Sequence, residues 1–354
     1  MTEKKPVFIL DVRPAEQREE WFIPGSTHID AYKRLNSGDV TVLDELNIPD
    51  NTPVVTVCAA GRTSLIAAEA LRRKGIQAYS LQGGMKAWNY AWNTAEITFA
   101  DNLKVIQLRR SVKGCLSYLI GSDKEAIVID ASLNPDVYLQ LADQNGWKIR
   151  YVLDTHIHAD YISRTRDLAK ASGAVHLLIN KAKVDFAFTP VEDGDLISFG
   201  KSFLEIIHTP GHTWESTSYR IGNKALFTGD TLFIDGVGRP DLKADEDETV
   251  QKSKQLHQSL KHLQLLPSST RVFPAHTPGA VPFDNKLIAE TIGNLKTKLD
   301  LLKLSEHEFV EYTLSKIPPT PPNYLTIASL NKKGSYKGYQ PAELEAGANR
   351  CAIG

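Results

Sequence analysis

Short apolar runs closed by polar residues recur along the chain, and their spacing predicts strands and helices in two groups. In the first group, 7–10 ends at Asp11 and 54–57 ends at Cys58, both as buried strands. The alanine-rich run 65–71, closed by Gly75, reads as a helix. From Asn102 onward short strands dominate, at 104–108, 115–120, 126–130, 150–153, 174–179, 203–208, 216–221, 224–228 and 271–273. Helices are predicted at about 135–145, 162–172, 248–265 and 284–303. Residues of about 94–101 read as a short linker, and the proline run at 317–322 as extended chain. The pattern predicts an α/β protein of two domains, 1–96 and 97–354. The second should be a sheet sandwich covered by helices, with a helical and proline-rich extension.

Composition narrows the function classes. At 354 residues and 42% hydrophobic content, the chain has material for two ordinary cores. Its 41 lysines and arginines nearly cancel 42 aspartates and glutamates, and no basic stripe emerges, so a nucleic-acid partner is not expected. Three distant cysteines, 58, 115 and 351, make no disulfide framework and fit a reducing compartment. Lys4 and Lys5 precede an apolar run too short for a signal-peptide core, and nothing approaches the roughly twenty apolar residues that span a bilayer. The expectation is a soluble cytoplasmic protein without a membrane partner. Sequence does not decide between a monomer and a homo-oligomer.

Cys58 stands where a strand gives way to a loop, Ala59-Ala60-Gly61-Arg62-Thr63, and then to a helix. Loop amides and a helix N-terminus favour negative charge, so this thiol should ionise readily and accept an oxyanion beside it. Arg62 adds a fixed positive charge. A phosphatase loop would need arginine six residues after the cysteine, where this chain has Ser64. The segment resembles the rhodanese (sulfurtransferase) family through 8–13 (FILDVR), 23–29 (IPGSTHI) and 81–88 (LQGGMKAW), with Trp21-Phe22 as a departure. The resemblance implies that Cys58 carries a persulfide, that Arg62 assists, and that Ala59, Gly61 and Thr63 line the anion pocket. An inert Cys58, packed as a small hydrophobe, is the plainer alternative.

Four potential ligand groups follow predicted strands: His156, His158 and Asp160; His212 in TPGHT; Asp230 in TGD; and His276 in PAH. Strand ends converge at one sheet edge, so these distant residues can meet around an ion. Together the motifs resemble the metallo-β-lactamase superfamily over roughly 98–280, which implies an αβ/βα sandwich. Dinuclear hydrolases of that superfamily, such as glyoxalase II, place a histidine after the motif aspartate. This chain has Tyr161 there, and a neutral phenol is a poor zinc ligand. The second metal site should be empty or weak.

The persulfide dioxygenases of the same superfamily are the other resemblance. It implies one Fe(II) per chain on His156, His212 and Asp230, with His158, Asp160, Tyr161 and His276 around it or left over from a second site. Two histidines and a carboxylate leave three positions open, enough for a sulfur ligand and dioxygen. Arg239, in GVGRPD, either orders the pocket or meets a substrate carboxylate. The tail at 346–351 also matches this family; Cys115 reads as packing and Cys351 as structural.

The fusion implies a bifunctional sulfur enzyme. Cys58 would move sulfane sulfur between thiosulfate and a thiol such as glutathione, and the iron site would oxidise the resulting persulfide with O2 to sulfite and thiol. A dinuclear thioester hydrolase and a non-catalytic sulfur-relay or sensing protein are the competing readings.

Overall fold

A computed structural model describes residues 6–347 and 350–354. Lys4, Lys5, Ala348 and Asn349, which entered the readings of the two termini, lie outside the described residues. The described residues form two compact units, one of residues 6–91 with 111–113 and 346–347, the other of the remaining described residues.

The first unit is built on a four-stranded parallel sheet in the order Thr27–His28, Phe8–Asp11, Val54–Val57, Ala78–Ser80. Parallel strands need both faces covered, and the helix Arg62–Arg73 supplies one cover by turning Ala67, Ala68 and Leu71 onto Leu10, Val54 and Ala78. Asp11, at the end of the central strand, is chelated by Arg13 Nε and Nη2 at 2.9 and 2.7 Å, which fixes the chain as it leaves the sheet.

The second unit holds two mixed sheets. One runs Thr189–Val191, Val175–Ile179, Lys148–Leu153, Glu125–Ile129, Leu116–Ser122, Lys104–Arg110, Trp92–Thr98. The other runs Leu196–Phe199, Ser202–His208, Thr217–Ile221, Ala225–Gly229, Arg271–Pro274, Glu290–Thr291. Their inner faces share a core in which Tyr118, Phe227 and Phe273 meet with ring centroids 4.9 to 5.7 Å apart. Outside, helices Pro135–Gln144 and Thr165–Ser172 pack on the first sheet, and Glu246–Leu263 with Ile292–Lys298 on the second. This is the expected helix-covered sandwich, of mixed α/β class.

Three local expectations are corrected. The supposed linker at 94–101 is largely strand: Trp92–Thr98 pairs residue for residue with Lys104–Arg110, because its alternation of Ala95 and Ile97 with polar residues gives the sheet one apolar face. The helix expected at 284–303 is only Ile292–Lys298. Thr291 caps it by accepting the Asn294 amide, and Leu299 is extended before a short 3₁₀ turn. The short strands Thr189–Val191 and Leu196–Phe199 were not foreseen, since their few polar-flanked residues carry no period of their own. Among the described residues no helix is long and apolar enough to cross a membrane.

Candidate functional sites

Each ligand group follows the C-terminal end of a strand. His156 and His158 come after Lys148–Leu153, His212 after Ser202–His208, Asp230 after Ala225–Gly229 and His276 after Arg271–Pro274. Two glycines make the convergence sterically possible. Gly229 is left-handed at φ 52°, and a Cβ there would lie 2.5 Å from Thr155 Oγ1; Gly211, at φ 142°, lies against the backbone of Leu256.

His156, His212 and Asp230 are buried, and one ligand atom from each lies within 4.8 Å of the others. The two Nε2 atoms are 3.8 and 3.6 Å from Asp230 Oδ2. Their tautomers are set from behind. His212 Nδ1–H donates to the Arg239 carbonyl at 2.7 Å, and His156 Nδ1–H donates to Thr155 Oγ1 at 3.0 Å, whose hydroxyl in turn donates to Asp130 Oδ2 at 2.9 Å. Burial holds both imidazoles below the ordinary histidine range, with the nearby His158 adding to the effect on His156, so both lone pairs face inward. Burial opposes ionisation of Asp230, but His276 and His156 outweigh it and keep the carboxylate charged. Asp230 Oδ2 has no hydrogen-bond partner among the described residues. A buried carboxylate oxygen left unpaired between two imidazole lone pairs is costly unless a cation sits there, so these three residues fit a metal ion.

The remaining motif residues are committed elsewhere. His276 donates Nδ1–H to Asp230 Oδ1 at 2.6 Å and Nε2–H to Asp160 Oδ2 at 2.9 Å. Burial disfavours its charge, yet Asp230 and Asp160 raise it well above the ordinary range, and both ring nitrogens are held by carboxylates. His158 directs Nε2 at Asp130 Oδ1, 3.1 Å, and the Tyr161 hydroxyl, 2.9 Å. Although burial resists it, Asp130 pushes His158 up to about 10. Tyr161 stacks on His158 and points its hydroxyl at that histidine and the Asp130 carbonyl. The Cys115 thiol donates to Asp160 Oδ2 at 3.4 Å, Cys351 lies beside Asp230 and His276, and burial pushes both thiols up.

Arg239 corrects a substrate-binding expectation. Its side chain is 0% exposed, and all five N–H groups are engaged: Nε and Nη2 fork onto Asp241, while Nη1 and Nη2 reach the carbonyls of Pro318, Pro319 and Arg350. It fastens the proline run and the tail, and through its own carbonyl it orients His212. No donor is left for a ligand.

In the first unit Cys58 Sγ accepts the Gly61 amide at 3.1 Å and the Ser64 hydroxyl at 3.2 Å. Burial alone would raise its pKa; the Ser64 hydroxyl and the amides of Ser64, Ala60 and Gly61 reverse this and lower it. The loop amides point inward because its carbonyls are tied off outside: Met85 N–H donates to Cys58 O at 2.8 Å and Lys86 N–H to Ala59 O at 3.1 Å. Gly84 is required there, since a Cβ would strike the Cys58 carbonyl. Arg62 is exposed with its guanidinium unpaired among the described residues, whereas the Thr63 hydroxyl is buried against Asn36.

Sequence reasoning overlooked Ser64, Thr155, Asp130 and Asn331. Asp130 carried the same signal as the ligands, a carboxylate at a strand end, here left-handed at φ 57°. Ser64 entered only as a missing arginine. Asn331, on helix Tyr324–Lys333, donates to the carbonyls of His158 and Tyr161 at 2.8 Å and accepts the Ser163 amide, gripping the metal loop from 170 residues away. No sequence signal announces that contact.

Sandwich, strand-end ligands and cysteine loop together define a metal-binding α/β protein joined to a smaller α/β unit that presents a cysteine loop. This chain belongs to the metallo-beta-lactamase superfamily, which it matches over residues 110–276, and carries a rhodanese-like domain matched over residues 1–91. Mitochondrial persulfide dioxygenase ETHE1 of Bos taurus is 31% identical over 207 residues, 56% of this chain and 76% of that protein. A hydroxyacylglutathione hydrolase of Prochlorococcus marinus (strain MIT 9301) is also 31% identical, over 44% of this chain and 61% of its own. The crystal structure of ETHE1 from Myxococcus xanthus superposes with a TM-score of 0.56 at 25% identity, covering 69% of this chain and all of that one.

Proposed function

We propose that this protein oxidises a low-molecular-weight persulfide with O2 at one Fe(II) held by His156, His212 and Asp230, and moves sulfane sulfur through Cys58. The observation that carries the reading is the donor set: two imidazoles and one unpaired carboxylate oxygen facing one point, with His276 held by Asp230 and Asp160 and Tyr161 turned to His158 where a second metal would need ligands. That set suits non-haem iron and not a dinuclear hydrolase. The similarity to persulfide dioxygenases supports it.

Cys58 thiolate attacks the outer sulfur of thiosulfate, the S–S bond breaks, and sulfite leaves with the bonding pair. A thiolate then takes the sulfane sulfur and returns Cys58 as thiolate. The loop amides and Ser64 hold the negative charge at each stage, and Arg62 is free to meet the dianion. The residues permit the reverse direction equally. In the second unit, persulfide, O2 and water give thiol, sulfite and two protons. When bound, iron supplies the redox chemistry that lets O2 react with sulfur. His212 and His156 are kept in ligating tautomers by Arg239 O and Thr155, and His276 keeps Asp230 charged and aimed.

The test is anaerobic purification with metal analysis, followed by oxygen uptake on glutathione persulfide. One iron per chain and persulfide-dependent uptake are expected. Two zinc ions with thioester turnover, or sulfur transfer with no oxygen chemistry, would sink the proposal.

A further inference from the structure

The Ser64 hydroxyl that reaches Cys58 has a second partner. Ser64 Oγ lies 3.2 Å from Cys58 Sγ and 2.8 Å from Ser80 Oγ, at the end of strand Ala78–Ser80. Cys58 and Ser64 are 3% and 0% exposed, whereas Ser80 is half-buried, so two hydroxyls in series join the buried sulfur to a residue that meets solvent. The backbone on either side is pinned. Thr56, which pairs with Ser80 across the two strands, donates its hydroxyl to the Ser64 carbonyl at 2.7 Å, and the Leu81 amide donates to Thr56 O at 2.9 Å.

Counting hydrogens decides the direction of the chain. A serine hydroxyl has one hydrogen and two lone pairs, and a thiolate has lone pairs only, so Ser64 must donate to the sulfur. Its single hydrogen is then committed, and the contact with Ser80 is a bond only if Ser80 donates. In the reverse arrangement Ser64 donates to Ser80, and the sulfur keeps the Gly61 amide alone. Among charged groups, Arg62 stands on the loop itself, Lys86 on helix Gly84–Trp88, and Asp11 on the neighbouring strand, where Arg13 and Arg18 pair with it. The chief influences on the thiol are burial, the Ser64 hydroxyl and the loop amides.

We infer that Ser80 is a positioning residue for Cys58: by donating to Ser64 Oγ it directs the Ser64 hydrogen onto the sulfur, and the two bonds in series polarise one another. Ser80 makes no hydrogen bond to the sulfur and acts through Ser64. The inference deepens the sulfur-transfer reading and rests on it for the reaction that the thiolate serves.

Ionisation of Cys58 tests the inference apart from sulfur transfer. In the full chain, alkylation of Cys58 by iodoacetamide is followed against pH by mass spectrometry of the Cys58 peptide. Ser80→Ala should move the inflection up by about half a pH unit, the effect of one modest hydrogen bond. Ser80→Thr, which restores the hydroxyl on a residue suited to a strand, should return it to the wild-type position. Ser64→Ala combined with Ser80→Ala should move it no further than Ser64→Ala alone, because the outer serine acts through the inner one. An inflection unmoved by Ser80→Ala, a uniform loss of rate at every pH, or two shifts that add would overturn the inference. Should Ser80→Ala not fold, Ser80→Val against Ser80→Thr carries the test, since the two differ by a hydroxyl at nearly equal shape; equal inflections then refute it. A Ser80-dependent inflection in a protein whose thiosulfate-to-thiol transfer survives Cys58→Ser leaves the hydroxyl pair standing and removes Cys58 as the carrier.

Discussion

The two candidate sites are built by opposite means. The Cys58 site is local: within seven residues the chain supplies the nucleophile, the Gly61 amide and the Ser64 hydroxyl that lower its pKa, and one further helix, Gly84–Trp88, ties off the loop carbonyls. The metal centre is assembled. Its three inward atoms come from positions spread over 75 residues, each oriented by a partner from another element: Thr155 and Asp130 behind His156, Arg239 O behind His212, His276 behind Asp230. A local cradle depends on backbone direction and tolerates change at a distance. An assembled centre depends on every layer that aims its ligands, and so reaches as far as Asn331 and Glu345. The Glu345 carboxylate accepts the Ile162 amide at 3.0 Å while paired with buried Arg110.

The contrast can be broken most sharply at the primary groups. Asp230→Ala should abolish both iron retention and oxygen uptake, at least about a thousandfold in rate, while thiosulfate-to-thiol transfer by Cys58 is unchanged. Metal analysis and the two assays on one preparation decide it, and a loss of both activities would mean the sites are not separable. Cys58→Ser should do the converse, removing sulfur transfer about as completely and sparing oxygen uptake on preformed persulfide. If transfer survives, Cys58 is not the carrier.

Smaller changes test how each site is tuned. Thr155→Val leaves all three ligands in place but frees the His156 ring, and should weaken iron binding about 10- to 100-fold in competition with a chelator. An unchanged affinity would show that the ring is held by packing alone. Ser64→Ala should slow transfer about tenfold near neutral pH. Because Ser64 lowers the thiol pKa, the thiolate is present above that pKa and lost below it. The variant's rate should therefore recover as pH rises, with the inflection moved upward. A uniform loss at every pH would assign Ser64 to structure instead of ionisation.

Much of this was visible in the residues. Strand-closing polar positions located Cys58, His156, His212, Asp230 and His276, because a buried strand must end where the chain reaches solvent or a site, and the side chain at that end is the one presented. Tyr161 set the expectation of a weak second site for a reason internal to its chemistry, since a phenol does not replace an imidazole on a metal. Less visible was the edge strand Trp92–Thr98, whose alternation is as good as a linker's polarity is poor.

What the sequence by itself determined is the set of reactive groups, the principal strands and helices that carry them, and the Cys58 loop, all of which rest on interactions among near neighbours. The tertiary structure alone decided which histidine is neutral and which is charged. His156 and His276 are the same residue type in similar strand-end motifs, yet one meets a hydroxyl and another histidine while the other lies between two carboxylates. It also turned Arg239 from a substrate-facing charge into a fastener for the proline run and the tail. Charge state and orientation depend on burial and on the partner across space, and neither is encoded in any short stretch of chain.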